Sequence, residues 1–126
     1  MDNKFRVSLN HVDVVEYDRN RRLPGHQRQF LDKMDHDMAQ GFELAGEFIA
    51  TPDAMQRAKF VAMQLVIALQ TNEDGLIAAS CAYLANRFPE IQQVKAVEQG
   101  EQFALELIFA GEEANKVAVQ FQDKLH

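Results

Sequence analysis

Residues 51–89, TPDAMQRAKFVAMQLVIALQTNEDGLIAASCAYLANRFP, decide the fold. Thr51 reads as an N-cap, Pro52 suits the first helical position, and Asp53 falls in the first turn, where a carboxylate is favoured. Ala54, Met55, Ala58, Val61, Ala62, Leu65 and Leu69 recur at helical spacing and make one apolar face, while Phe60, Met63 and Ile67 make another apolar patch on the far side. A helix that is apolar nearly all round is buried. It runs to about Gln70, where Thr71-Asn72-Glu73-Asp74-Gly75 interrupts it. A further helix follows from Glu73 or Asp74 to Phe88, stopped by Pro89. Ala78, Ala79, Ser80, Cys81, Ala82 and Ala85 give it small surfaces against which another backbone can come close.

The flanks change period. Phe5, Val7 and Leu9 alternate with Arg6 and Ser8, the period of two that marks a half-buried strand. Val12, Val14 and Val15 then form either a continuation or a hairpin mate. On the other side, Val94–Val97 and Phe103–Phe109 flank Glu98-Gln-Gly-Glu101, which reads as a β-hairpin with glycine in its loop. Residues 112–125 fit two readings: Val117, Val119 and Phe121 alternate as in a strand, yet Glu112–Lys116 could open a helix. Strand is preferred.

Between the first strands and the central block, a first helix is expected from His26 to Ala50. Its apolar face would hold Phe30, Leu31, Met34, Met38, Phe42, Ala45, Phe48 and Ile49. Gly41 and Gly46 inside it each cost about 1 kcal/mol against alanine. They imply a closely packed neighbour, a bend or a break.

The whole is a single α+β domain over residues 1–126: an N-terminal strand, three central helices, and a C-terminal antiparallel hairpin with a third strand as an option. At 126 residues, with 47% hydrophobic and 25% charged residues, the chain has the composition of one globular domain. About two-thirds of its unfolded surface can be buried at this size. Its formal charge of −6 repels phosphate, which argues against nucleic acid and anionic membranes as partners. One cysteine, Cys81, excludes an intramolecular disulfide framework. The longest apolar run, Phe60–Leu69, falls short of the roughly 20 residues a spanning helix needs. A cytoplasmic location without membrane contact is the expectation.

Four features invite a chemical reading. Arg19, Arg21, Arg22, His26 and Arg28 cluster before and at the start of the first helix, where free N–H groups and guanidinium forks suit an anion or an acidic peptide. Asp32 and His36, four residues apart, have the spacing of helical metal ligands, with Glu43 and Glu47 further along. No second histidine–carboxylate pair accompanies them, and the same residues form the natural solvated face. Asp37 lies at the margin of the apolar stripe, where burial would raise its pKa unless it reached water or an arginine. Cys81, among alanines, reads as a small core residue and not as a nucleophile. No phosphate-binding glycine loop or nucleophile elbow occurs, and no cofactor is implied.

These observations point to a non-enzymatic protein-binding, assembly or adaptor domain. The surplus of apolar helix surface suggests a homodimer, and an edge strand of the sheet offers a place for a partner strand. The competing reading is a small anionic-ligand binder or enzyme that uses the Arg19–Arg28 loop.

Overall fold

A computed structural model describes residues 4–19, 25–44 and 46–110, and the backbone of 116–121. Strands β1 (Lys4–Leu9) and β2 (Val12–Asp18) form a hairpin, so the second valine patch is the mate of the first strand and not its extension. Helix α1 (Gly25–Met38) and a small hairpin, β3 (Phe42–Leu44) with β4 (Glu47–Ile49), follow. Helices α2 (Ala54–Thr71) and α3 (Asp74–Arg87) lead to β5 (Ile91–Gln99), β6 (Gln102–Phe109) and β7 (Lys116–Phe121). The class is α+β.

The five-stranded sheet has the order β2-β1-β5-β6-β7. All its pairs are antiparallel except β1 with β5, which run parallel with Val7 beside Val94 and Leu9 beside Ala96. Helices α2 and α3 pack side by side; α2 reaches β6, α3 reaches β2, and α1 rests on α3. The core lies between this layer and one face of the sheet: Phe5, Val7, Ile91, Val94, Leu105 and Leu107 below, Val61, Leu65, Tyr83 and Leu84 above, all nearly or fully inaccessible. Burial of each large aliphatic or aromatic side chain contributes about 1.5–3 kcal/mol. The C-terminal segment over 116–121 is strand, paired to β6 with Val117 beside Leu107 and Val119 beside Leu105.

Two expectations about the helices need correction. The first helix does not continue to Ala50; it ends at Met38. Gly41 adopts φ of +98°, and a Cβ there would lie 2.7 Å from Phe48 Cζ and 2.9 Å from the Ile49 carbonyl oxygen. The chain reverses instead, with Phe42 paired to Ile49 across a short hairpin. The spacing of Met38, Phe42 and Ile49 suits a helix face, but Phe42-Glu43-Leu44 also alternates, and Phe42 stacks on Phe60 of α2 at 4.2 Å between ring centroids. Phe60 of the far-side patch of α2 is thereby covered within the chain, while Ile67 of the same patch stays exposed. The second correction is the cap: Asp53, not Thr51, is the N-cap of α2. Its carboxylate accepts from the Gln56 N–H at 2.8 Å while the Gln56 side chain accepts from the Asp53 N–H at 2.9 Å, a reciprocal box.

The β1–β2 turn is fastened to the rest of the sheet. Asn10 and His11 both hold positive φ, 54° and 70°, as a tight two-residue hairpin loop requires. Asn10 donates its side-chain amide to Glu98 at 2.9 Å and accepts from the Glu98 N–H at 2.8 Å, while its own N–H donates to the Ala96 carbonyl at 2.8 Å. Gln70, at the end of α2, donates to the other Glu98 carboxylate oxygen at 2.8 Å. The bond from Gln70, then that from Asn10, hold the Glu98 carboxyl below its ordinary value of 4.5.

Two outcomes follow from this geometry. Gly41→Ala is expected to destabilise the fold by about 1–3 kcal/mol, because the left-handed backbone and the contact with Phe48 are both strained; urea denaturation measures it. Glu98, with its lowered pKa, stabilises the folded state above the ordinary carboxylate value, and this contribution disappears as pH falls through the folded value. Glu98→Gln should therefore reduce the steepness of the stability loss below about pH 4.5 relative to the parent, read from thermal melts across pH.

Candidate functional site

Of the arginine cluster, the structure describes Arg19, His26 and Arg28. The Arg19 guanidinium donates to the Ala85 carbonyl at 2.9 Å and to the Ile91 carbonyl, tying β2 to the end of α3 and the start of β5. Its burial lowers its pKa. In this position Arg19 acts as a structural strut. His26 and Arg28 are exposed on the first turn of α1, and Arg21 and Arg22 lie outside the described residues.

The polar face of α1 is organised by arginine and not by metal-ligand geometry. Asp32 accepts from Arg87 at 2.8 Å, and His36 Nε2 lies 3.5 Å from the Gln40 amide. Among the described residues no group of three or more histidine, cysteine or acidic side chains is arranged to hold a metal. Asp37 reaches water and pairs with Lys33 at 3.0 Å. Cys81 is buried, and burial pushes its thiol up to about 12, so the reactive thiolate is suppressed near neutral pH.

The carboxylate that matters on α1 is Asp35. It accepts from the Tyr83 hydroxyl at 2.5 Å, from Arg87 Nε at 2.9 Å and from Arg57 at 3.5 Å. One side chain of α1 thus meets α2 through Arg57 and α3 through Tyr83 and Arg87. Burial, then the bond to Asp35, push the Tyr83 phenol above its ordinary range. Burial alone would pull Arg87 down, but its bonds to Asp35 and Asp32 leave it raised. Both shifts favour the protonated forms, the neutral Tyr83 phenol and the charged Arg87 guanidinium, and the cluster ties the three helices together. Sequence spacing drew attention to Asp32 and Asp37 because the partners of Asp35 lie 22, 48 and 52 residues away.

The remaining concentration of unspent chemistry is on the other side of the sheet. No described helix or strand packs on that face. An open concavity of about 790 Å³ lies there, lined by Ser8, His11, Asp13, Gln93, Lys95 and Glu106, with Val97 and Ala104. A bulge makes this arrangement. The β1–β2 register shifts between Val7 and Ser8, leaving Val14 as the extra residue, so Asp13 pairs with Ser8 and takes the same face as Glu16 opposite Arg6. Ser8 lies beside Lys95, and Lys95 opposite Glu106. One rung across four strands therefore reads Asp13, Ser8, Lys95, Glu106. Ser8 is only 4% exposed, screened by its neighbours. Arg6 and Lys4 neutralise Glu16 at 3.3 and 3.8 Å. Asp13 and Lys95, both exposed, form no ion pair or side-chain hydrogen bond with a described residue.

The sequence matches no protein-family model and no curated protein, and no solved structure matches the chain. No helix among the described residues is long and apolar enough to cross a membrane.

Asp35→Ala should cost about 1–3 kcal/mol, since it leaves Tyr83 without its acceptor and Arg57 and Arg87 without their shared anion, in a site about one-third accessible. Equilibrium unfolding in urea measures this loss.

Proposed function

We propose that this chain is a non-enzymatic protein-binding domain, of an assembly or adaptor kind, that receives its partner on the open face of the five-stranded sheet. The observation that carries the reading is the asymmetry of the layers. The partly buried charges on the helix side, Arg19 and the Asp35 cluster, are satisfied within the chain, whereas the opposite face carries charges of both signs over an open concavity of about 790 Å³.

A sheet face of this kind suits a macromolecular partner better than a small metabolite. Small-molecule sites are enclosed and predominantly apolar, with a few convergent polar groups. Here the lining side chains come from four strands, and polar and apolar groups share an open floor. The basic residues Arg6 and Lys4 are engaged by Glu16, which, with the net charge of −6, disfavours a polyanion. Edge strand β2 adjoins the face and contributes Asp13 to it.

Self-association belongs to the same proposal. Phe30, Phe48 and Ile67 are the large hydrophobic side chains left exposed on the helix and small-hairpin side, and a homodimer would cover them there, leaving the sheet face free for another protein.

Photo-crosslinking in cells separates the faces. Benzoylphenylalanine in place of Val97, in the concavity, should give a discrete protein adduct; the same group in place of Glu73, at the α2–α3 junction, should not. Equal labelling from both positions, or none from Val97, would overturn the assignment of the face. Light scattering across a dilution series tests the homodimer: a mass of about 14.3 kDa at every concentration would remove it.

A further inference from the structure

We propose that the segment received on the open face is dipolar: a stretch of partner chain laid across the strands, with a basic side chain over Asp13 and an acidic side chain over Lys95. The inference rests on the protein-binding reading and names the chemistry of its partner.

The argument begins with the rung Asp13, Ser8, Lys95, Glu106. Two further rows of charge lie on this face of β1 and β2, Arg6 opposite Glu16 and Lys4 opposite Asp18. Arg6 and Lys4 both reach the Glu16 carboxylate. At the third rung the β1 residue is Ser8, which offers no charge, and Asp13 makes no ion pair with a described residue. Lys95, on the other side of Ser8, stands opposite Glu106 but likewise makes no ion pair with a described residue. The two ions stand two strands apart and line the same concavity. Two strand spacings amount to about 9.6 Å. Direct pairing between them is prevented by that separation, so each is available to a ligand that brings the opposite sign.

A second copy of the chain is a poorer occupant. A two-fold axis along β1, above Ser8, would set Asp13 over Lys95 of the other copy, but it would also stack Arg6 on its own equivalent. A polyanion or polycation satisfies only one of the two charges and meets the other as a repulsion. A segment carrying one charge of each sign at the right separation satisfies both, while the Ser8–Gln93 floor between them presents polar groups to its backbone.

Proline-rich peptides provide a ruler. In the polyproline II helix, residues i and i+3 share a face and lie about 9.3 Å apart, close to the span between the two ions. Three otherwise identical capped polyproline peptides would carry Lys and Glu, two Lys, or two Glu at those positions, with binding followed by NMR chemical-shift titration at low ionic strength. The parent protein should favour the Lys/Glu peptide, by up to about fivefold per matched charge, with shifts centred on Ser8, Lys95 and Gln93. Lys95→Glu should transfer the preference to the two-Lys peptide, and Asp13→Lys to the two-Glu peptide. Both positions are exposed, so the thermal midpoint of Asp13→Lys should stay near that of the parent, while Lys95→Glu, which sets a second carboxylate opposite Glu106, should lower it slightly; Asp13→Asn and Lys95→Gln serve as milder replacements if either reversal unfolds the chain, and each should erase the selectivity at its end of the ruler.

Indiscriminate binding of all three peptides, no binding of any, or a preference unmoved by both substitutions would overturn the dipolar assignment. So would a doubling of mass abolished by Lys95→Glu, which would put a second copy on the face. Persistence of the Val97 adduct alongside loss of peptide selectivity would reject the charge chemistry and retain the protein-binding reading; loss of that adduct rejects the reading itself.

Discussion

The parallel pairing of β1 with β5 is the constraint on which the rest of the molecule depends. It joins an N-terminal hairpin to a C-terminal meander, with Val7 beside Val94 across most of the chain. Parallel neighbours cannot be linked by a tight turn, so the intervening chain must leave the sheet and return. Here that excursion contains α1, the small hairpin, α2 and α3, all gathered on the side where Phe5, Val7, Val94 and Leu105 present their side chains. One face of the sheet consequently holds the core. The other holds the charges.

The local devices reinforce that pairing from its ends. Asn10 and Glu98 extend the contact beyond the last paired residues, and Gln70 anchors the same carboxylate to α2. At the opposite end Arg19 bonds the carbonyls of Ala85 and Ile91, where α3 hands the chain to β5. Both devices are polar groups satisfying backbone or carboxylate acceptors, the Glu98 bonds at an exposed end of the sheet and the Arg19 bonds in a half-buried one, where an unmade bond would be the more costly. The Asp35 cluster does the same for the helices. Loop closure through a long crossover carries an entropy cost, and these bonds hold its two ends in register.

Much of the architecture was legible from periodicity. The two-residue alternation of Phe5–Leu9 and Phe103–Phe109, the breaks at Asn72 and Pro89, and the strand preference at Val117–Phe121 all correspond to observed elements. The failures have a common cause: the competing readings differed only in tertiary partners. Met38, Phe42 and Ile49 fit a helix face as well as a helix followed by a hairpin, and only the stacking of Phe42 on Phe60 distinguishes them. Thr51 and Asp53 are both competent caps, and Gln56 selects Asp53 because it stands three residues beyond it. The basic cluster looked like an anion site because Arg19 is close in sequence to Arg21, Arg22, His26 and Arg28, while its true acceptors are 66 and 72 residues distant. The rung on the open face was still less accessible. Asp13, Ser8, Lys95 and Glu106 become neighbours only once the β1–β2 bulge and the parallel register are both known.

That bulge connects stability with function. Had β2 continued opposite β1 without it, Val14 would face Ser8 and Asp13 would turn to the core side beside Leu9. The extra residue at Val14 shifts the pairing by one, and a one-residue shift exchanges the faces of every side chain beyond it. It also bends an edge strand, which discourages indiscriminate strand addition. The same irregularity therefore blunts the sheet edge and delivers an uncompensated carboxylate to the open face, opposite a serine too small and neutral to silence it. A fold selected only for stability would gain from a cation at Ser8, as Arg6 provides for Glu16 one rung away. Its absence leaves Asp13 and Lys95 as charges without an ion pair among the described residues, and that contrast between the two faces is what the proposal of recognition on the sheet rests on.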